Sequence, residues 1–263
     1  MVLRSVENAP VLSLFSLKGK ICIVTGGARG IGLEIVRGFC EAGADVAIVY
    51  ATSTQAPQIA KDLSAEFKNR VEAYQADVRS RESIQNVVET IAKDFGKIDV
   101  VVPNSGVVYQ IGAIDFPEEK WKDTFAVNVD GVFWTCQAVA PYFKRQGHGS
   151  IVITGSVSAN LVNIPQQQAA YNASKAAVVH LGKSLAVEFV DFARVNVISP
   201  GFIYSDMINN LSDEWKKKWN ELIPGQRYAH AHELKGAYVF AASDASSYMT
   251  GANLIIDGGY TLP

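Results

Sequence analysis

Tyr171 and Lys175 stand four residues apart, in Tyr171-Asn172-Ala173-Ser174-Lys175, where an apolar helical stretch from Ala176 to Val190 begins. That spacing puts both side chains on one helix face. A phenol titrates near ~10, too high to exchange protons efficiently at neutral pH, and a neighbouring ammonium favours the phenolate. The pair could serve as general acid and base, although Tyr-x-x-x-Lys is common and in isolation a chance surface pair is the simpler account. Two more polar residues suit the same chemistry. The apolar run Ser150–Thr154 ends in Gly155-Ser156, a strand end that can aim a hydroxyl into a crevice. Asn128 interrupts the apolar run Phe125-Ala126-Val127-Asn128-Val129, and a buried Asn needs hydrogen-bond partners whether or not it takes part in a reaction.

A second group of residues suits a dinucleotide. Ile21-Cys22-Ile23-Val24 runs into Thr25-Gly26-Gly27-Ala28-Arg29-Gly30-Ile31-Gly32, after which a helical pattern starts. Glycines there let the backbone turn sharply and approach a pyrophosphate, which the amides and dipole of the helix N-terminus attract. The spacing is Gly-x-x-x-Gly-x-Gly rather than G-x-G-x-x-G, so its place after the first strand carries the reading. A carboxylate about 20 residues on would favour NAD by bonding the ribose 2′-hydroxyl. The end of the second strand reads Val49-Tyr50-Ala51-Thr52-Ser53 instead, and Asp45 lies at the strand's other end. Arg29 could meet a 2′-phosphate, with Thr52 and Ser53 adding hydroxyls, so NADP is expected over NAD. The alternative for Arg29 is a solvated loop residue.

These side chains need elements to hold them. Short apolar runs at Ile21–Val24, Val46–Tyr50, Val71–Gln75, Asp99–Val102, Ser150–Thr154, Arg194–Ser199 and Asn253–Ile256 read as strands. Between them Ile31, Ile35, Val36, Phe39 and Cys40, and then Ile84, Val87, Val88 and Ile91, follow helical periodicity. Gly43 and Gly96 read as helix stops. Strands alternating with helices predict an α/β fold: one doubly wound, Rossmann-type domain with a parallel seven-stranded sheet and helices on both faces. Residues 1–16 read as an N-terminal arm and 17–263 as the dinucleotide-binding and catalytic domain.

Composition narrows the function. The formal net charge is -2 and the longest basic run is Lys216-Lys217-Lys218, the solvated face of a helix, so no nucleic-acid partner is expected. No apolar run approaches the ~20 residues of a membrane span, and the first ten residues lack an apolar signal core. Cys22, Cys40 and Cys136 lie apart in apolar segments and read as buried hydrophobes in a reducing, cytoplasmic setting. Neither they nor the four histidines have metal-ligand spacing, so no metal is expected.

Taken together, the motifs resemble the short-chain dehydrogenase/reductase family from about Leu17 to Leu262. The resemblance rests on the glycine turn, Asp77-Val78, Asn104-Ser105-Gly106, Asn128, Ser156, Tyr171 with Lys175, Pro200-Gly201 and Ile256-Asp257-Gly258-Gly259. It implies that Tyr171 is the acid for carbonyl reduction, that Lys175 lowers its pKa and holds the nicotinamide ribose, and that Ser156 bonds the carbonyl oxygen. Asn128 would hold a water in a proton relay. Gly26, Arg29, Gly30, Ile31 and Gly32 would meet the cofactor phosphates, Asp77 and Val78 the adenine, and Asn104 and Gly106 the ribose side. Pro200, Gly201, Ile203 and Ser205 would meet the nicotinamide.

The chain departs from the family pattern twice. The usual Asn-Asn-Ala-Gly is Pro103-Asn104-Ser105-Gly106. The serine usually thirteen residues before the tyrosine would be Ser158, whereas alignment on the strand end selects Ser156 with a longer loop through Leu161–Pro165. Leu14–Lys20, Val162–Gln166 and Phe192–Asn196 resemble fungal and yeast NADPH-dependent carbonyl, sorbose and mannitol reductases, which implies a small carbonyl or alcohol substrate. A tailoring ketoreductase of secondary metabolism and a non-catalytic dinucleotide-binding scaffold are the alternatives. The family also implies a homotetramer. Trp215 and Trp219, one helical turn apart, could form a substrate lid or simply pack.

Overall fold

Runs such as Ile21–Val24 carry no polar face, which suits strands covered by helices on both sides. The computed structural model describes residues 3, 7–204 and 213–262. Its elements are β1 (Ile21–Thr25), α1 (Gly30–Glu41), β2 (Asp45–Tyr50), α2 (Ala56–Phe67), β3 (Val71–Gln75), α3 (Arg81–Phe95) and β4 (Val100–Val102). There follow α4 (Glu118–Phe125), α5 (Gly131–Gln146), β5 (Ser150–Thr154), α6 (Ala169–Glu188) and β6 (Arg194–Pro200). Short strands β7 (Ile203–Tyr204) and β8 (Ala229–His230), helices Asp213–Leu222 and Lys235–Ala242, and β9 (Asn253–Ile256) complete the chain.

The main sheet has seven parallel strands in the order β3-β2-β1-β4-β5-β6-β9. Strands β1, β4, β5 and β6 are buried throughout and β2 except at its two ends, while the edge strands β3 and β9 are only partly so. Two cores result. Ile23, Val101 and Ile153 face one side, with Ile84, Ile91, Val139 and Phe143 from α3 and α5. Cys22, Val24 and Val152 face the other, with Ile35, Phe39, Leu63 and Tyr238. All three cysteines are free and buried. No described helix is long and apolar enough to cross a membrane.

Each predicted strand lies within one residue of its expected bounds. Asp99 falls just outside β4, where its buried carboxylate accepts the Ile21 amide at 2.8 Å. Ser80 caps α3 by accepting the Ser83 amide, and Gly96 ends it with φ +82°. Two features have no counterpart in the sequence reading. The parallel pair β7–β8 stands outside the main sheet, and a π-helical turn, Ala126–Asp130, joins α4 to α5.

Candidate active site

The chain winds outward from β1 to β3 and then returns to lay β4 on the other side of β1. In doubly wound sheets the ligand crevice lies at such a reversal, outside the carboxyl ends of the strands, here those of β1 and β4. The glycine turn fills its floor. Gly26 and Gly30 have φ of +67° and +53°, a region that favours glycine. Gly32 is required by packing instead, because a methyl there would run into the Gly26 carbonyl and come within 2.7 Å of Asn104 Nδ2. Arg29 is the N-cap of α1 but gives no side-chain cap, and the first turn holds no acid. The leading amides of α1 therefore face the crevice end without a carboxylate or hydroxyl of their own, an arrangement that suits an anion. Arg29 and Thr52 are exposed and Ser53 is half-buried, and none bonds through its side chain to another described residue.

Asn104 ties the strand ends together. Its amide N donates to Thr25 Oγ1 (2.9 Å), its Nδ2 to the Thr25 carbonyl (3.1 Å), and its Oδ1 accepts from Thr154 Oγ1 (3.1 Å). The Thr154 hydroxyl also meets Tyr238 Oη at 2.8 Å. Asn104 therefore works mainly inside the protein, a use its expected ribose-side position did not suggest. Asp77 is similar. Arg79 grips its carboxylate at 2.7 Å, holding it below the ordinary carboxylate range, and reaches on to Asp123 of α4 at 2.9 Å. Tyr109 donates to the same Asp123 at 2.7 Å. Val78 is buried against Gly131, which a methyl would push to 2.9 Å from its Cβ.

The side chains expected to react lie near these strand ends. Ser156 follows β5 as N-cap of a short 3-10 turn, Val157–Ala159, and its Oγ accepts the Ser158 amide at 3.1 Å. Burial raises the Tyr171 phenol above its ordinary value, and the neighbouring Ser156 hydroxyl pulls the other way. Of the two candidate serines, Ser156 is thus the one beside the phenol. Ser158 Oγ instead accepts from Asn163 Nδ2 (2.7 Å) and Gln168 Nε2 (3.4 Å). Lys175 is 3% exposed; its Nζ donates to the Thr154 carbonyl at 2.9 Å and lies 5.8 Å from the Tyr171 ring centroid. Burial takes this ammonium from its ordinary 10.5 down to about 8. At the phenol desolvation dominates, and the lysine is itself burdened by it.

Asn128 is fully buried in the π-helical turn. Its Oδ1 accepts the Val107 amide, while its Nδ2 donates to the Val107 carbonyl and to Ser174 Oγ, at 2.9, 2.9 and 3.0 Å. The side chain is spent on anchoring the loop after β4 to α6. Gly106 lies where a methyl would come 3.5 Å from Asn128 Oδ1 and 3.8 Å from Lys175 Nζ, so the expected relay residues border one space. The sequence reading missed Thr154, the anchor of Lys175, and Ser174, though a hydroxyl at a strand end and one next to the lysine were visible signals.

On the far side, the Gly201 amide donates to the Ile256 carbonyl (2.9 Å), and a methyl at Gly201 would strike Asp257. Pro200 ends β6 and Ile203, in β7, is buried. Ser205 lies outside the described residues, as does Met207. Trp219 is 1% exposed, stacks on Phe202, and donates to the Ile164 carbonyl (3.0 Å) and Gln166 Oε1 (2.9 Å). It packs as a bolt between helix Asp213–Leu222 and the Ile164–Gln166 loop. Among the described residues no three His, Cys, Asp or Glu side chains form a metal site.

The chain is similar to known proteins along nearly its whole length. A family profile described as enoyl-(acyl carrier protein) reductase matches residues 26–261. An NADP-dependent mannitol dehydrogenase of Alternaria alternata is 46% identical over 97% of this chain and 98% of its own. A sorbose reductase of Candida albicans is 46% identical over 96% and 91%. The crystal structure of an NADPH-dependent 3-quinuclidinone reductase from Rhodotorula rubra superposes with a TM-score of 0.94 at 40% identity, over 99% of this chain and 98% of that one. Likeness of that extent, running through the whole sheet and both cores, makes the chain a member of the short-chain dehydrogenase/reductase family.

Proposed function

We propose that the protein reduces the carbonyl of a ketose or small ketone with NADPH, and reversibly oxidises the corresponding alcohol. The observation that carries this reading is the meeting of Ser156, Tyr171 and buried Lys175 beside an anion-ready helix end, with no carboxylate at the carboxyl end of the neighbouring strand. The residues fit the dinucleotide: the turn Gly26–Gly32 and the leading amides of α1 would hold its pyrophosphate, and Arg29, Thr52 and Ser53 a 2′-phosphate. Bound there, the reduced nicotinamide would supply hydride to the carbonyl carbon. Ser156 donates a hydrogen bond to the carbonyl oxygen as negative charge builds on it. Tyr171, kept protonated through neutral pH by burial, gives its proton to that oxygen. Lys175, with a pKa of about 8, exchanges protons readily and re-supplies the phenolate from solvent.

The mannitol and sorbose enzymes among the relatives support a polyol or ketose as substrate. Four intact reactive residues speak against a scaffold without turnover. We further propose a cytoplasmic homotetramer: Tyr248, Ile255 and Leu262 around the last strand and Trp121 on α4 are exposed apolar groups suited to subunit contacts, and the free thiols fit a reducing compartment. The test is oxidation of NADPH and NADH side by side with L-sorbose, D-fructose, an aryl ketone and a bulky cyclic ketone. Turnover of NADPH with a ketose supports the reading. Turnover of the bulky ketone alone transfers it to a biosynthetic ketoreductase, and binding without turnover of any substrate overturns it.

A further inference from the structure

The loop before α6 holds a chain of hydrogen bonds that lies outside the proposed reaction. Val162 and Ile164 are exposed, while Asn163, Gln166 and Gln168 are each more than nine-tenths buried. Asn163 Nδ2 donates to Ser158 Oγ at 2.7 Å and Gln168 Nε2 to the same oxygen at 3.4 Å. Both lone pairs of Ser158 are thus filled. The Ser158 amide in turn donates to Ser156 Oγ at 3.1 Å. Gln168 is the N-cap residue of α6, the helix that carries Tyr171, and it also donates to Asn172 Oδ1 at 3.0 Å. At the other end, Trp219 grips Ile164 and Gln166.

We propose that Ser158 and Asn163 are positioning residues which fix the Ser156 hydroxyl against Tyr171 and tie that geometry, through Trp219, to helix Asp213–Leu222. The inference rests on the reductase reading above. Two arguments support it. Ser158 is the junction where the Ser156 turn and the Tyr171 helix meet, so its loss frees the two reacting side chains to drift apart. Asn163 Oδ1 is buried without a partner among the described residues, a cost to folding that an apolar residue at this place would avoid. Occupying one Ser156 lone pair with the Ser158 amide leaves its own O–H free to aim at the substrate oxygen, and reacting groups lose rate steeply when their alignment slips.

The experiment compares steady-state reduction of L-sorbose by Ser158→Ala, Ser158→Thr, Asn163→Ala and Trp219→Phe with the natural chain, alongside NADPH binding followed by protein fluorescence. The proposal expects kcat to fall about tenfold or more in Ser158→Ala and Asn163→Ala, with KM and NADPH affinity within about threefold of normal. Ser158→Thr, which keeps the hydroxyl, recovers most of the loss. Trp219→Phe, which keeps an aromatic ring but not the N–H, lowers kcat in the same direction by a smaller factor. Normal kcat in the two alanine variants, or losses confined to NADPH affinity, overturns it. If the natural chain itself oxidises no NADPH with any ketone, it is the functional reading that fails, a result distinct from variants that match an active parent.

Discussion

Replacing Lys175 with methionine should abolish turnover yet stabilise the fold at neutral pH. Burial takes the ammonium from 10.5 to about 8, so the folded state resists the charge that the unfolded chain holds freely. At about 1.36 kcal/mol for each pH unit, the charged lysine costs about 3 kcal/mol at pH 7. The methionine side chain would avoid that cost but lose the 2.9 Å bond to the Thr154 carbonyl, a loss of about 1–3 kcal/mol. The expected net gain is about 1 kcal/mol. The sign of the pH dependence follows from proton binding. Between about 8 and 10.5 the unfolded chain binds a proton that the folded one has released, so this group's contribution to natural-chain stability rises with pH across that window. The advantage of Lys175→Met should therefore shrink by about 2 kcal/mol between about pH 7 and about pH 9.5. Urea unfolding of both proteins without cofactor, at both pH values, measures this. A variant less stable than the parent by more than about 1 kcal/mol at pH 7, or a difference indifferent to pH, would refute the reasoning.

The same lysine sets an activity profile: kcat/KM for NADPH in the reduction, which reports groups of the free enzyme, should be level below about pH 7 and decline above about 8. A profile flat to about pH 10 would remove Lys175 from that role. Arg29→Ala should weaken NADPH about tenfold or more while leaving NADH within about twofold, measured by titration of each; equal effects would take Arg29 out of the 2′-phosphate site. Gly32→Ala should cost about 1–3 kcal/mol of stability and most of the dinucleotide affinity, because the new methyl collides with the Gly26 carbonyl and crowds Asn104. Normal melting and normal binding by that variant would contradict the packing role assigned to Gly32.

Much of the architecture was legible because parallel strands buried on both faces leave unbroken apolar runs, and β1, β4 and the middle of β5 are runs of that kind. The short pair β7–β8 was not, since two-residue strands carry no periodicity. Nor was the π-helical turn at Asn128, whose extra residue per turn leaves no mark in an apolar stretch. At the site, residue types and spacing singled out Ser156, Tyr171 and Lys175, which lie near one another, but could not say where each side chain spends its hydrogen bonds. Asn104 and Asp77 were read as facing the ligand and Asn128 as holding a relay water, and the structure gives their polar atoms protein partners: strand ends, Arg79, and the Val107 backbone with Ser174. Apart from Asp77 with Arg79, these pairings join distant residues, 46 positions apart for Asn128 and Ser174 and 50 for Asn104 and Thr154, and no local pattern encodes them. Trp219 shows the same limit, its helical spacing to Trp215 being visible and its bond to the Ile164 carbonyl not.

Hydride delivery with proton transfer from Tyr171 is the central claim, and isotope transfer tests it most directly. NADPH carrying deuterium at the transferable C4 position would be incubated with D-fructose and the chain, and with its Tyr171→Phe variant, and the polyol product analysed by mass spectrometry. The account predicts one deuterium at C2 of the polyol with the natural chain, and almost no product from the variant although it still binds NADPH. Unlabelled polyol, or a Tyr171→Phe variant turning over at the parent's rate, would contradict it.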